Sequence, residues 1–259
     1  MKPVRLPITW LAVIFAVYAA ATARAAVERK LDPNADALIR RMSTALAASR
    51  AFSFHATDFL ERKRADGTTK SRTLSRDVLV RRPDGVRMEI RGDGTDGILL
   101  YEAGDLVLQS NTRKLYARAK VPRQVDDALD FLAARLRLPM PLADVLYSSP
   151  HDALVSSGTS GKIIGDEIVD GVKCRHLAFQ DPVVDWEIWL RDEEVPLPAR
   201  LRIVYKHADG NAQADVSFSA WNLAAEIPPS VFTFNAPQGY RRIRLVAPPQ
   251  NAPDDLLEK

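Results

Sequence analysis

Cysteine is almost absent from this sequence, since Cys174 is the only one in 259 residues. A single cysteine cannot form an intramolecular disulfide, so packing and hydrogen bonds alone must hold the fold. Cys174 lies in the alternating stretch VKCRHLAF, which predicts a buried position on a strand. No neighbouring sequence feature indicates a reactive thiol.

Histidine is scarce too, and no two of the four histidines stand four residues apart, as a helical metal site would need. The GxSxG, HExxH, P-loop and CxxC patterns are also missing. These absences argue against an enzyme and predict a protein with no cofactor and no metal ion. His55 and His176 lie on separate predicted strands, and a shared site between them stays open as a minor alternative.

Long apolar runs are confined to the amino terminus. Two basic residues precede the apolar run 6–21, and the small-x-small site 23–25 follows it. The run contains Pro7 and is shorter than the roughly 20 residues that a membrane span needs. We therefore predict a signal peptide at 1–25, cut after Ala25, and a periplasmic protein without a transmembrane segment after cleavage.

The predicted mature chain carries no excess of positive charge. Of the 36 basic residues, three lie in the first 25, and the 33 that remain equal the 33 acidic residues. Proteins that bind nucleic acid carry a basic patch or stripe. The charge balance therefore predicts no nucleic-acid partner.

One helix is predicted directly after the signal peptide. Asp32 has the chemistry of an N-cap, and Pro33 suits the first helical position. Apolar residues then recur with helical spacing at Ala35, Leu38, Ile39, Met42, Ala45 and Leu46. We expect an amphipathic helix of four to five turns.

From Phe52 the apolar pattern changes to a period of two, which is typical of half-buried strands. Val86, Met88 and Ile90, for example, alternate with charged residues. About six strands precede a helical insertion at 122–158, and about five follow it. Turn sequences such as GDGTDG at 92–97 indicate hairpins, and this acidic loop lacks the ligand spacing of a calcium site.

These patterns predict a mainly β protein with one curved antiparallel sheet of about eleven strands, because so large a sheet curls. The amino-terminal helix and the helical insertion are the only material that can cover its concave face. We predict a single half-barrel domain at 26–246. The polar, proline-rich residues 247–259 predict a disordered tail.

The strands and the insertion resemble the DUF2092 family of exported bacterial proteins from about Ala35 to Val246. The resemblance is carried by six stretches: FSFHA at 52–56, DVLVRRPDGVRMEIRGDG at 77–94, LLYEAGDLVL at 99–108, DDALDFLAARLRLPMPLADVLYSSP at 126–150, GVKCRHLAFQDPVVDWEIWL at 171–190 and VFTFNAPQG at 231–239. More distantly the chain resembles the LolA/LolB lipoprotein-carrier superfamily. That resemblance implies an incomplete barrel with a helical lid over a cavity for acyl chains.

The leading hypothesis is therefore a carrier that holds a lipid, an acyl chain, a lipoprotein or another apolar ligand. Its cavity candidates are Val86, Met88, Ile90, Leu129, Leu132, Met140, Trp186, Ile188 and Leu190. Each of them also suits a solid core, which is the commoner use of such residues. An apolar void above roughly 300 Å³ would favour the carrier.

A second hypothesis is an interaction or sensing module that binds another envelope protein and has a filled core. An exposed strand edge or the helical lid would provide the contact. Trp189 bears on this choice, because the sequence does not determine on which face of the sheet it lies. An exposed indole there would be an interface anchor.

Overall fold

A computed structural model describes residues 30–63, 66–136, 140–206 and 212–246. The predicted signal peptide, its cleavage site and the predicted tail at 247–259 lie outside the described residues. His207, one of the four histidines, and Pro139, a proline inside the helical insertion, lie outside them as well.

Helix α1 (Pro33–Ala48) begins where the sequence predicts. The backbone N–H of Asn34 donates to Asp32 Oδ1 at 2.8 Å, so Asp32 is the N-cap and Pro33 takes the first helical position. The helix ends where the N–H of Ser49 donates to the carbonyl of Leu46 at 3.3 Å. One side of the helix is buried, comprising Ala35, Ile39, Met42, Ser43 and Leu46.

Twelve strands form one sheet among the described residues. In chain order they are β1 (Ala51–Lys63), β2 (Thr69–Arg81), β3 (Gly85–Gly92), β4 (Thr95–Glu102), β5 (Asp105–Ser110), β6 (Leu115–Lys120), β7 (Ser160–Val169), β8 (Val172–Gln180), β9 (Val184–Arg191), β10 (Pro198–Tyr205), β11 (Gln213–Asn222) and β12 (Arg241–Ile243). The sheet is curved and does not close.

The order across the sheet is β12-β6-β5-β4-β3-β2-β1-β11-β10-β9-β8-β7. The two halves of the chain therefore join where β1 pairs with β11, and β12 and β7 lie at the edges. The eleven longer strands are antiparallel, as predicted, but β12 pairs with β6 in parallel. The prediction of an entirely antiparallel sheet is wrong for this pair, because the chain crosses the sheet before β12 instead of turning back in a hairpin.

The turn between β3 and β4 shows why its sequence is GDG. Gly92, Asp93 and Gly94 all have positive φ, at 127°, 45° and 70°. A Cβ atom on Gly92 would lie 2.3 Å from the carbonyl oxygen of Thr73, so only glycine fits there. The Asp93 carboxylate accepts from the backbone N–H of Thr73 at 2.7 Å. The loop is a hairpin connection, as predicted.

The central insertion contains helix α2 (Val125–Leu136), a 3₁₀ turn (Ala143–Val145) and the short helix α3 (Pro150–Leu154). Asp126 and Asp127 lie in the first turn of α2, where negative charge is favourable against the helix dipole. We call residues 140–154 the lid segment.

The face of the sheet that packs against α1, α2 and the lid segment is the inner face. Its apolar residues and those of the helices form one continuous buried cluster. Inner-face positions alternate along each strand, as with Phe52, Phe54 and Ala56 on β1. The helical cover over the sheet is therefore as predicted.

The opposite, outer face is covered in part by the segment that follows β11. Phe232 is buried against Leu100 and Val107, and the Arg81 guanidinium lies 4.4 Å from the centre of its ring. The last of the strands expected after the insertion covers the stretch FTFNAPQGYRRIRLV from Phe232 onward, but only Arg241–Ile243 forms a strand and Pro229–Phe232 is a 3₁₀ turn. The apolar residues there cover the outer face and do not pair with a neighbouring strand.

Candidate functional site

The apolar row of β9 lies on the inner face. Trp186, Ile188 and Leu190 are all buried, at 4%, 0% and 0% exposure. The Trp186 ring stacks on Phe179 of β8 with centroids 3.9 Å apart. A Cβ atom on Gly161 of β7 would lie 2.2 Å from the Phe179 ring, so the stack is closed on that side. This end of the inner face is solidly packed.

Seven of the nine cavity candidates belong to the buried core. They are Val86, Met88, Leu129, Leu132, Trp186, Ile188 and Leu190. Three of the nine, Met88, Ile90 and Met140, line a cavity. The sequence pattern identifies inward-facing residues, but it does not distinguish the places where helices fill the space from the place where they leave a void.

The cavity lies between strands β2 to β5 and the start of the lid segment, and its volume is about 190 Å³. This is smaller than the roughly 300 Å³ at which ordinary ligand pockets begin. Its lining comprises Arg76, Met88, Ile90, Thr95, Asp96, Gly97, Ile98, Leu99, Leu108, Gln109, Ser110 and Met140. The walls are largely apolar, and two charged residues are among them.

Arg76 brings charge into the cavity wall. Its side chain is 5% exposed and forms an ion pair through Nη1 with Asp58 of β1, whose side chain is 0% exposed. Burial lowers the pKa of Arg76 to about 10. Sequence analysis missed this pair. The available signal was a charged residue in the apolar phase of each strand, after Phe54 and Ala56 on β1 and before Val78 on β2.

The lid segment is fastened to the sheet by Arg82. Its Nη1 donates to the carbonyl of Leu146 at 3.1 Å and its Nη2 to that of Tyr147 at 2.7 Å. The guanidinium also lies 5.4 Å from the centre of the Phe52 ring. One half-buried side chain thus donates to the carbonyls of two consecutive residues of the lid segment.

Further hydrogen bonds tie the lid segment to helices α1 and α2. Tyr147 donates its hydroxyl to Asp130 of α2 at 2.7 Å. His151 Nε2 lies 2.7 Å from Asp36 of α1. Burial raises the pKa of Asp36, but hydrogen bonds from His151 and Arg40 outweigh this, so its pKa is lowered overall. The polar contacts that hold the lid segment thus lie in its second half, at residues 146–151.

Asp144 lies in the 3₁₀ turn of the lid segment, and burial raises the pKa of its carboxyl group to about 6. Burial also raises the pKa of Tyr205 to about 12, and the negative charge of Asp144 adds to this. No hydrogen bond from a described residue reaches the Asp144 carboxylate. At neutral pH the Asp144 carboxylate of the folded protein is therefore charged but poorly solvated.

We expect Asp144→Asn to stabilise the protein by about 2 kcal/mol at pH 8 and to have almost no effect at pH 4. The folded pKa lies above the ordinary value of 3.8, so the wild type loses stability as pH rises from about 4 to about 6. Urea unfolding of both proteins across this range measures the difference. The control Glu194→Gln removes an exposed carboxylate and should follow the wild type. An equal effect of Asp144→Asn at both pH values would contradict the assignment.

Trp189 lies on the outer face but is not exposed. Its ring stacks on His176 at 4.2 Å, and the guanidinium of Arg200 lies 5.0 Å from it on β10. Its Nε1 donates to Glu167 at 2.8 Å. Only 3% of the residue is exposed, so the idea of an open indole as an interface anchor is wrong.

The two strand histidines do not meet. His55 of β1 contacts Asp77 at 2.8 Å, whereas His176 of β8 lies between Glu167 and Glu187 at 2.8 and 2.7 Å. Three strands, β11, β10 and β9, separate β1 from β8. The suggestion of a shared site is therefore wrong. Within the described ranges, no group of three or more His, Cys, Asp or Glu side chains is placed to hold a metal ion.

Fold and site define a mainly β protein with an open, curved sheet and a small, largely apolar cavity beside the start of the lid segment. The chain belongs to the DUF2092 family, which is described as "predicted periplasmic protein" and matches residues 35–246. The predicted membership is thus confirmed. Comparison with curated proteins found no match.

Several solved structures are similar to this chain. Lipoprotein LppX from Mycobacterium tuberculosis is 14% identical with a TM-score of 0.49, over 76% of this chain and 100% of that chain. A LolA superfamily protein from Nitrosomonas europaea is 12% identical with a TM-score of 0.37, over 76% and 96%. The MucA/MucB complex from Pseudomonas aeruginosa gives 17% identity and a TM-score of 0.41, over 78% and 62%.

None of the helices in the described part of the chain is long and apolar enough to cross a membrane.

Proposed function

We propose that this protein is a non-enzymatic periplasmic carrier that holds an acyl chain or another apolar ligand between the inner face of the sheet and the lid segment. The observation that carries the proposal is the cavity of about 190 Å³, which Met88, Ile90 and Met140 line. The family description, a predicted periplasmic protein, supports the compartment. The domain bounds 26–246 and the cleavage after Ala25 belong to this proposal.

The size of the cavity limits what binds without rearrangement. Each buried methylene contributes about 0.8 kcal/mol, so a six-carbon segment gains about 5 kcal/mol before ordering costs. A longer chain needs more room than 190 Å³. Because Met140 belongs to both the cavity wall and the lid segment, outward movement of the lid segment is the direct way to enlarge the cavity. Met140 also has a flexible side chain that adapts to a ligand.

The proposal is tested with N-phenyl-1-naphthylamine, an apolar dye whose fluorescence rises on binding. Ile90→Trp places a bulky ring in the cavity, and we expect it to weaken dye binding at least tenfold. Ile168→Trp is the matched control, because Ile168 is 68% exposed on β7 and lies away from the cavity. Equal affinity of the two variants, or no binding to the wild type, would contradict the proposed site.

The strength with which Arg82 holds the lid segment gives a further prediction. Arg82→Met keeps the apolar stem but removes both donors to Leu146 and Tyr147, which should destabilise the protein by about 1–3 kcal/mol. Hydrogen exchange, followed by mass spectrometry, should speed up in residues 143–154 and stay unchanged in β8. Arg118→Met, at a side chain that is 49% exposed, is the control. Uniform acceleration over the whole chain would argue against a local fastening.

The strand edge supports a second candidate, a module that binds another envelope protein. Along most of β7 the side opposite β8 has no strand partner in the described chain, where Leu31 bridges only to Gly161. Ile164 and Ile168 on this strand are 48% and 68% exposed. An added strand would cover them. A wild type that binds no apolar probe would favour this candidate over the carrier.

A further inference from the structure

Asp58 and Arg76 are the only acidic or basic side chains of Asp, Glu, Lys or Arg that are buried among the described residues. A buried ion pair loses most of its attraction to the cost of desolvation, so an apolar pair of similar size would stabilise the core as well or better. Stability alone therefore does not explain why the pair stands on the inner face. Its position does suggest a use, because Arg76 is also part of the cavity wall.

The Arg76 guanidinium has donors to spare. Its Nη1 contacts Asp58, whereas Nε and Nη2 donate to no residue in the described ranges. An arginine has five N–H donors, and neither Nε nor Nη2 is among the fully buried side-chain atoms that lack a partner, so both stay accessible. A ligand that brings an acceptor oxygen to this wall would accept a charge-assisted hydrogen bond from one of them.

The charges around the cavity decide what kind of oxygen fits. Asp58 already neutralises Arg76, and Asp96 adds a second carboxylate to the lining. A ligand with a carboxylate or phosphate would place a third negative charge beside two positive charges, since Arg72 donates to Thr95 of the lining at 2.5 Å. A carbonyl oxygen accepts the same hydrogen bonds without adding a net charge, so it suits this wall better.

Most of the remaining wall is apolar, and Thr95, Gln109 and Ser110 are its uncharged polar residues. Met88, Leu99 and Leu108 on the sheet and Met140 on the lid segment surround the space next to Arg76. These side chains offer dispersion contacts and no hydrogen bonds to an alkyl chain. We propose that the cavity selects acyl chains in ester or amide linkage, whose carbonyl oxygen accepts from Arg76 Nε or Nη2. This inference rests on the proposed carrier function.

The test is displacement of bound N-phenyl-1-naphthylamine at pH 8 by four compounds with the same chain: methyl octanoate, N-methyloctanamide, octyl methyl ether and octanoate. The ether is the ester without its carbonyl oxygen, and octanoate is ionised at this pH. We expect the ester and the amide to displace the dye at concentrations at least tenfold lower than the ether or octanoate.

A double variant, Asp58→Leu with Arg76→Met, removes the pair together and keeps its volume. It should still bind the dye and lose the preference for the ester over the ether. An ether as effective as the ester in the wild type would overturn the carbonyl inference and leave the carrier intact, and preferential binding of octanoate would do the same. Failure of the wild type to bind the dye would instead overturn the carrier function itself.

Discussion

Arg76→Met alone should destabilise the protein by about 3–5 kcal/mol, because it leaves the Asp58 carboxylate buried without a partner. Both side chains are almost fully buried, at 5% and 0% exposure. Neither solvent nor salt can therefore replace the lost partner. Urea unfolding measures the loss, and Arg91→Met is the control because the Arg91 side chain is 55% exposed and its ion pairs lie in water. We expect the control to unfold at the urea concentration of the wild type.

The double variant, Asp58→Leu with Arg76→Met, should recover most of that stability. Replacing both charges with apolar groups of similar size removes the desolvation cost together with the attraction. The two single substitutions are then strongly non-additive, as expected for residues in contact. A double variant as unstable as Arg76→Met would show that the space around the pair cannot accept apolar side chains, and the explanation by unpaired charge would be wrong.

Trp186→Ala should cost about 3–5 kcal/mol, the range for a large buried aromatic residue that leaves a cavity. Trp186 is 4% exposed and stacks on Phe179, which Gly161 closes from the other side. Little can therefore move in to fill the space. The loss should appear in urea unfolding, with a smaller loss for Trp186→Phe.

The Trp186→Ala variant also tests whether Trp186 belongs to the core or to the wall of the ligand site. Dye binding by the folded fraction of Trp186→Ala should keep its wild-type affinity, since Trp186 does not line the cavity near Ile90. If folded Trp186→Ala protein bound the dye ten times more weakly than the wild type, Trp186 would have to be part of the ligand site. A loss of less than 1 kcal/mol in stability would contradict the solid packing around it.

The alternation of apolar residues was enough to predict which face each strand buries. Trp186 and Met88 lie inward as their spacing indicates, and α1 begins at the predicted cap. These features depend on residues near each other in the sequence, where a period of two or 3.6 fixes direction. The order of strands followed largely from consecutive hairpins for the same reason.

Features that depend on distant parts of the chain could not be predicted. The parallel β12 depends on how the chain crosses the outer face, and no local pattern specifies that path. Trp189 is buried because Arg200 and Arg202 from the next strand cover its ring, and these residues alone would predict an exposed polar surface. The cavity depends on how closely the lid segment approaches β3, which is a difference in packing and not in polarity.

The two outermost strands, β7 and β12, do not pair with each other. A closed barrel has a circumference fixed by its strand number and stagger, so its interior has one size. Here the rim can spread or tighten without breaking any hydrogen bond between neighbouring strands. Under the proposed carrier function, ligands of different width would therefore be accommodated by bending the same twelve strands together with movement of the helices away from the sheet.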